Sequence, residues 1–409
     1  MRLVFFTGLE TINTLLCENG SCCQMDIIDE QKPMLRFLAV MTASSMIGLQ
    51  GYTILFNNYA VDLVGLNGQE VGIIQSVREL PGFLALLAVF LLLLIKEHRL
   101  SAISIALLGI GTGITGFFPS YGGIAFTTLV MSFGFHYYET TNQSLTLQYF
   151  STSAAPIVFG RLRSLAAVSS IVSGVLIWFL SLFMNYRNIF LVIGSLVFAV
   201  GIWGLFQDPT HLNIPPQRQR MVLRRKYSLF YLLTFLSGAR RQIFMVFSIF
   251  LLVKMFHFSV REMTLLFIIN NLIAWFMNPL IGRAIVRFGE RKVSSIEYAG
   301  VIVIFIAYAF TTSKLLVSLM YMVDSLLFNF SVSLRTYFQK MGDKQDISSS
   351  MAVGFTINHI AAVFLPALGG YLWMIDYRIP FLVGGALGVL SLIAAQWMRV
   401  PGVAEKGAG

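Results

Sequence analysis

NIFLVIGSLVFAVGIWGLF (residues 188–206) runs directly into QDPTHLNIPPQRQRMVLRRK (207–226), and this junction decides the fold. The first stretch holds no Asp, Glu, Lys, Arg or His along nineteen residues. A helix of ~20 apolar residues is long enough to cross the hydrocarbon core of a bilayer. The second stretch carries three prolines and five basic residues, so it reads as a linker lying on one face of the membrane.

Outward from this junction the pattern repeats on both sides. Apolar spans are predicted at 37–59, 71–95, 101–118, 122–147, 165–184 and 188–206 before the linker. After it they are predicted at 228–253, 263–281, 296–312, 315–334, 351–374 and 379–398. The 409-residue chain is 56% hydrophobic and 12% charged. With a mean hydropathy of +0.76 it is too apolar for a soluble surface.

The net charge of +10 would suit nucleic acid, but its placement argues against that. With the N-terminus in the cytoplasm, twenty-one of the twenty-nine Lys and Arg fall in cytoplasmic segments and three within spans. Only five, Arg187, Lys254, Arg261, Lys314 and Arg378, lie outside. A miscounted span would spoil this asymmetry, so it predicts an even span number with both termini cytoplasmic. The expected partners are the lipid bilayer, a small-molecule substrate and protons, with no nucleic acid, and the chain is expected to act as a monomer.

The predicted fold class is an all-α polytopic membrane protein of twelve transmembrane helices in two six-helix halves. Its parts are an N-terminal tail at 1–33, a half at 34–206, the linker at 207–226, a second half at 227–400 and a tail at 401–409. Residues 1–33 read as dispensable, with Met25 and Met34 as alternative starts. They hold all three cysteines, Cys17, Cys22 and Cys23, in a spacing without a four-ligand zinc pattern. A shift of 192 residues lays Glu70 on Glu262, Arg78-Glu79-Leu80 on Asn270-Asn271-Leu272, and Arg99 on Arg291. Such pseudo-two-fold repetition is the layout of transporters with repeated halves.

After span 8 comes Gly282-Arg283-Ala284-Ile285-Val286-Arg287-Phe288-Gly289-Glu290-Arg291-Lys292. It resembles the G-x-x-x-D-R-x-G-R-R/K loop of the major facilitator superfamily, with Val286 at the acidic position. The first-half copy is reduced to Lys96-Glu97-His98-Arg99. Pro366-Ala367-Leu368-Gly369-Gly370 in span 11 is similar to the family's P-x-x-G-G bend. Span 5 has no proline, unlike that of many drug/proton antiporters. The resemblance covers about residues 34–400. It implies that spans 1, 4, 7 and 10 line a central cavity, helped by 2, 5, 8 and 11, while 3, 6, 9 and 12 face lipid. It also implies that Gly282, Arg283, Arg287, Gly289 and Arg291 belong to a cytoplasmic gate loop. Spans 3, 6 and 12 hold no charged residue or His, and Glu297 in span 9 lies in a first turn, within reach of the interface. A charge facing lipid costs ~2.5–3.5 kcal/mol, so this sorting fits the implied layout.

The charges inside the spans are where function is expected. Adjacent Arg78 and Glu79 point about 100° apart on a helix, so they are not expected to pair face to face, and at least one should meet another span or the cavity. Arg78 reads as a planar clamp for an anionic substrate group or as one side of a structural ion pair. His136, Glu139 and Gln143 share a face of span 4. Glu139 reads as a carboxylate that loads and releases a proton or as a neutraliser of an arginine, with His136 as a relay. Glu79 joins these as a proton-coupling candidate. Arg240 and Arg241 lie in the middle of span 7. Both are candidates to bind the anionic substrate; one is expected in the cavity, and the other beside Glu79, Glu139 or Asp324. Asp324 reads as a proton site or an arginine partner. Gln50, Asn57 and Asn271 are expected to line the cavity and touch substrate, and His359 reads as hydrogen-bonded structure.

No P-loop, GxSxG, HExxH or dinucleotide fingerprint occurs, and neither an enzyme nor a cofactor or metal is expected. The reading is a secondary active transporter of the plasma (cell inner) membrane that moves a small organic anion, coupled to protons. A proton-coupled exporter of amphipathic or cationic compounds is one alternative. A non-transporting receptor or scaffold on the same fold is another.

Overall fold

The computed structural model describes residues 29–66, 68–210, 223–258 and 260–399, and among these it is all helical. The first six long helices are α1 (Lys32–Asn58), α2 (68–91), α3 (Glu97–Ile114), α4 (Tyr121–Tyr149), α5 (Ala155–Ser181) and α6 (Tyr186–Leu205). The second six are α7 (228–254), α8 (Val260–Phe288), α9 (Glu290–Phe310), α10 (314–341), α11 (Ile347–Ile375) and α12 (Arg378–Ala395). Ten of them are both long and apolar enough to cross a membrane. The other two, α2 and α4, are long but more polar, and they carry much of the site described below.

Local sequence sets the helix ends. Ser120, Asn185 and Ser313 cap α4, α6 and α10, their side chains accepting from the backbone N–H of Gly123, Asn188 and Leu316. Gly289, at φ +79°, makes the tight turn between α8 and α9. Pro81 inside α2 removes a backbone donor, and a 3₁₀ turn at Leu84–Leu87 follows it. A π-helical segment, Ile243–Ser248, interrupts α7 directly after Arg240-Arg241-Gln242.

Small residues bring backbones together where no hydrophobic drive separates helix from lipid. At Gly194 of α6 an added Cβ would lie 2.3 Å from Gly113 Cα of α3. The outward faces are apolar: Leu196, Val303, Ile306, Leu390 and Ile393 are all exposed. In a bilayer that surface meets lipid.

The two halves meet on the side that carries the basic loops. Gln339 Nε2 of α10 donates to the carbonyls of Leu147 and Phe150 at 2.7 Å each. Ser348 donates to Glu97 at 3.1 Å, and Gln148 donates to the other oxygen of that carboxylate at 2.6 Å. Helices α5 and α8 cross so closely that a Cβ on Gly160 would stand 2.5 Å from the Asn278 carbonyl oxygen. A Cβ on Gly282 would stand 2.5 Å from the Pro156 carbonyl oxygen.

Several sequence boundaries need correction. Helix α5 begins at Ala155 rather than 165, and α10 runs to residue 341 rather than 334. Arg163 and Arg335 therefore lie inside helices, not in topology-setting loops. Their polar turns face the other half rather than lipid, so hydropathy does not mark them. Helix α8 likewise continues to Phe288. Gly282, Arg283 and Arg287 are thus helical, Gly289 alone makes the turn, and Arg291 lies in the first turn of α9.

Candidate functional site

Between the halves lies a cavity of ≈ 690 Å³, lined by α1, α2, α4, α5, α7, α8, α10 and α11. Among the described residues, helices α3, α6, α9 and α12 contribute none of its lining. The size is that of a pocket for a small organic molecule. The lining climbs from Phe230, Arg335 and Met351 near the basic side to Thr53 and Phe267 toward the opposite side. The contacts between Gln339, Ser348, Gly160 and Gly282 and their partners lie below it, so the cavity is closed on the basic side.

Among the described residues, six charged side chains line it: Arg78, Arg163, Arg241 and Arg335 against Glu79 and Glu139. Arg163 Nη1 donates to Asn329 Oδ1 at 2.7 Å, across the halves. Its guanidinium lies 5.7 Å from the Phe328 ring, and that of Arg335 lies 5.7 Å from Phe159. Arg163 and Arg335 repel one another electrostatically, while Glu139 attracts both. Gln143 Nε2 donates to Glu139 at 3.0 Å, as their shared helix face predicts. Arg241 feels both Glu79 and Glu139, and its buried Nε has no protein hydrogen-bond partner. Asn270 Oδ1, Asn278 Oδ1 and Asn142 Oδ1 are orphaned in the same way.

Of the other sequence candidates, Gln50, Asn271 and His136 line the cavity. Asn271 donates to the Phe267 carbonyl at 2.9 Å. The side chain of Asn57 lies outside those described. Arg78-Glu79 and Asn270-Asn271, laid together by the internal repeat, both face this cavity. The expectation that Arg78 and Glu79 do not pair is corrected, since Arg78 Nη2 reaches Glu79 Oε1 at 3.2 Å, while both line the cavity as expected of at least one. A long guanidinium arm bends across the angle that separates the two Cα–Cβ bonds.

Arg240 does not line the cavity, because its neighbour Arg241 takes that direction. It is buried behind it, 3.4 Å from Glu297 and with its guanidinium 4.3 Å from the Tyr298 ring. Glu297 was expected at the interface, yet it is only 3% exposed. Its partner sits 57 residues away in sequence, on a helix that hydropathy cannot pair with its own. Asp324, also 3% exposed, faces the same place. A void of ≈ 20 Å³, room for about one water, is lined by Arg240, Glu297, Asp324 and Ser237. Asp324 Oδ2, Glu297 Oε2, Arg240 Nε and Arg240 Nη2 find no hydrogen-bond partner there. The site thus has two parts: an arginine-rich cavity between the halves, and a buried cluster of two carboxylates and one guanidinium in the second half.

The family model described as Major Facilitator Superfamily matches residues 38–339 and again 230–408. Among solved structures the fold is similar to the human organic anion transporter MFSD10, with a TM-score of 0.73 at 12% identity, covering 90% of this chain and 99% of that one. It is similar to the E. coli fucose:proton symporter FucP, with a TM-score of 0.70 at 12% identity, covering 90% and 98%. It is also similar to a bacterial homologue of the iron transporter ferroportin in its outward-facing state, with a TM-score of 0.73 at 12% identity, covering 89% and 98%. No curated protein sequence matches.

Proposed function

The chain belongs to the Major Facilitator Superfamily, and is thus a multi-pass membrane transporter rather than an enzyme; on that premise we propose that it carries a small organic anion across the plasma membrane, coupled to protons. The observation that carries this reading is the charge of the cavity: four arginines against two carboxylates. Arginine presents a planar fork of donors that matches carboxylate and phosphate groups. With an anion bound, the repulsion between Arg163 and Arg335 is relieved across the interface of the halves. A cationic cargo would meet the same field as a barrier, which disfavours the exporter alternative. The basic side is assigned to the cytoplasm. The conformation described is then outward-facing, and transport proceeds by rocking of the halves about the cavity.

Proton coupling is assigned to Asp324 with Glu297. Arg240 balances one of these two carboxylates. Leaving the other ionised and unpaired inside the protein would cost several kcal/mol, by the usual ~3–5 kcal/mol for an uncompensated buried charge. A proton on one of the pair removes that cost. The groups that face Asp324 electrostatically are Arg240, Glu297, Tyr308 and Tyr321. Glu139, inside the cavity, attracts both Arg163 and Arg335 and is assigned the role of their counter-charge.

The test is counterflow of labelled mono- and dicarboxylates in proteoliposomes, with Arg241→Gln and Arg335→Gln. Loss of one charge-assisted contact, ~1.5–3 kcal/mol, predicts a 10- to 150-fold fall in apparent affinity. Wild-type counterflow in both variants would sink the anion assignment.

A further inference from the structure

Glu79 of α2, His136 of α4 and His359 of α11 each bring one ligand atom to a common point between the halves. His136 Nε2 lies 4.0 Å and His359 Nε2 3.8 Å from the same oxygen, Glu79 Oε2. The three atoms all lie within 4.8 Å of one another. The imidazole rings are 5.0 Å apart and nearly perpendicular, at 82°. Gly82, one turn beyond Glu79, makes room for them. A Cβ there would stand 2.3 Å from His359 Cδ2 and 2.7 Å from His136 Cδ2.

Hydrogen bonds fix which ring nitrogens carry protons. Ser132 Oγ gives its one proton to the Arg78 carbonyl. It must therefore accept from His136 Nδ1, 2.9 Å away. The Ser132 carbonyl, 3.0 Å from the same nitrogen, can only accept as well. His359 Nδ1 donates to the Phe355 carbonyl at 2.9 Å. In its neutral form each ring then turns the Nε2 lone pair toward the same carboxylate oxygen. Tying Nδ1–H to an acceptor is how metal-binding histidines are oriented. Three lone pairs converging on one point repel unless a cation stands between them. With two sides of 4.0 and 3.8 Å and a third no longer than 4.8 Å, a point equidistant from the three atoms lies at most about 2.5 Å from each, near the ~2.0–2.2 Å of zinc–nitrogen and zinc–oxygen bonds.

We propose that Glu79, His136 and His359 form a three-ligand site for a divalent transition-metal ion, zinc or a first-row neighbour. Two nitrogen donors of three select against magnesium and calcium, which take oxygen. Arg78 holds Glu79 through Oε1 at 3.2 Å and leaves Oε2 to the ion. Two ligands come from the first half and one from the second, so the ion ties the halves together. Arg78 and Arg241 set positive charge beside it. The open coordination position faces the cavity and takes an anionic donor. That last step rests on the anion reading; the metal site itself does not.

The test uses full-length protein with Cys17, Cys22 and Cys23 changed to Ser, because thiolates bind these metals independently. Titration with Co²⁺ is expected to give one equivalent of a site with intense visible ligand-field bands, displaced by Zn²⁺. Glu79→Gln, His136→Gln and His359→Gln should each weaken it by roughly 100-fold, at or beyond the upper end of the loss seen for mere outer-sphere changes. Thermal unfolding in the absence of metal shows that each variant is folded. Arg241→Gln is expected to keep the Co²⁺ bands while losing anion uptake. If it and Arg335→Gln both keep uptake while the Co²⁺ bands persist, the anion reading falls and the metal site stands. Absence of a Co²⁺ site in the cysteine-free protein, or an unchanged site in the three folded ligand variants, overturns the proposal.

Discussion

Gly160→Ala tests how the basic side is kept shut. The added Cβ would stand 2.5 Å from the Asn278 carbonyl oxygen. An ordinary carbon–oxygen contact is ~3.3–3.6 Å, so α5 and α8 must part by about 0.8–1.1 Å. Forcing a methyl group into a packed contact costs ~1–3 kcal/mol. That cost applies only in the conformation where these helices touch. It therefore shifts the equilibrium between the two access states by roughly 5- to 150-fold. Full inversion from 99:1 to 1:99 takes ~5.5 kcal/mol, so one alanine moves the balance without reversing it. Gly282→Ala acts on the same crossing, where its Cβ would meet the Pro156 carbonyl oxygen at 2.5 Å. Sharing one contact, the two are not expected to add fully. Spin labels at Ser153 and Lys292, both exposed on the basic side in opposite halves, report the opening as a longer component in the distance distribution. Alanine also favours helix over glycine by ~0.8–1.0 kcal/mol, so poor folding is not the expected explanation of a change. Identical distance distributions in wild type, both single variants and the double variant would refute the view that this crossing is the closed gate.

Asp324→Asn is expected to retain counterflow but lose uptake driven by a pH gradient; gradient-driven uptake at the wild-type rate would remove Asp324 from the coupling. Arg240→Met leaves two buried carboxylates without a cation and is expected to destabilise by ~3–5 kcal/mol, with the larger part recovered when Glu297→Gln is added, as read by thermal unfolding. Outside the spans, Lys226 first and Arg224 after it hold the Asp343 carboxyl below the usual range. Stability from this bridge is present above the unfolded pKa and fades as pH falls through the depressed folded value, so Asp343→Asn should flatten a small acid-dependent part of the unfolding curve.

The sequence carries the number of the helices because each span must hide its backbone from lipid. It carries less of the site. Arg163 and Arg335 look like loop charges because hydropathy sees only what faces lipid, and their turns face protein. The pairing of Arg240 with Glu297 joins helices far apart in the chain. His359 reads alone in its helix, and its convergence with His136 and Glu79 is set by Gly82 on a third helix. That one of Arg240 and Arg241 enters the cavity, by contrast, follows from two adjacent arginines that cannot point the same way; which of them does so does not.

Glu97, left in the first half where the second half has its fuller loop motif, accepts from Gln148 and Ser348 at the floor of the cavity. Gln339 binds backbone carbonyls beside it, and glycines pack on backbone across α5 and α8. These contacts are amide, hydroxyl and van der Waals in kind, so they do not depend on long-range attraction between opposite charges. Ionic strength acts on charges, with a screening length of ~8 Å at physiological salt. The closed state of this protein should therefore keep its occupancy as salt rises, while binding of an anion among the arginines weakens, so that salt separates the gate from the cargo.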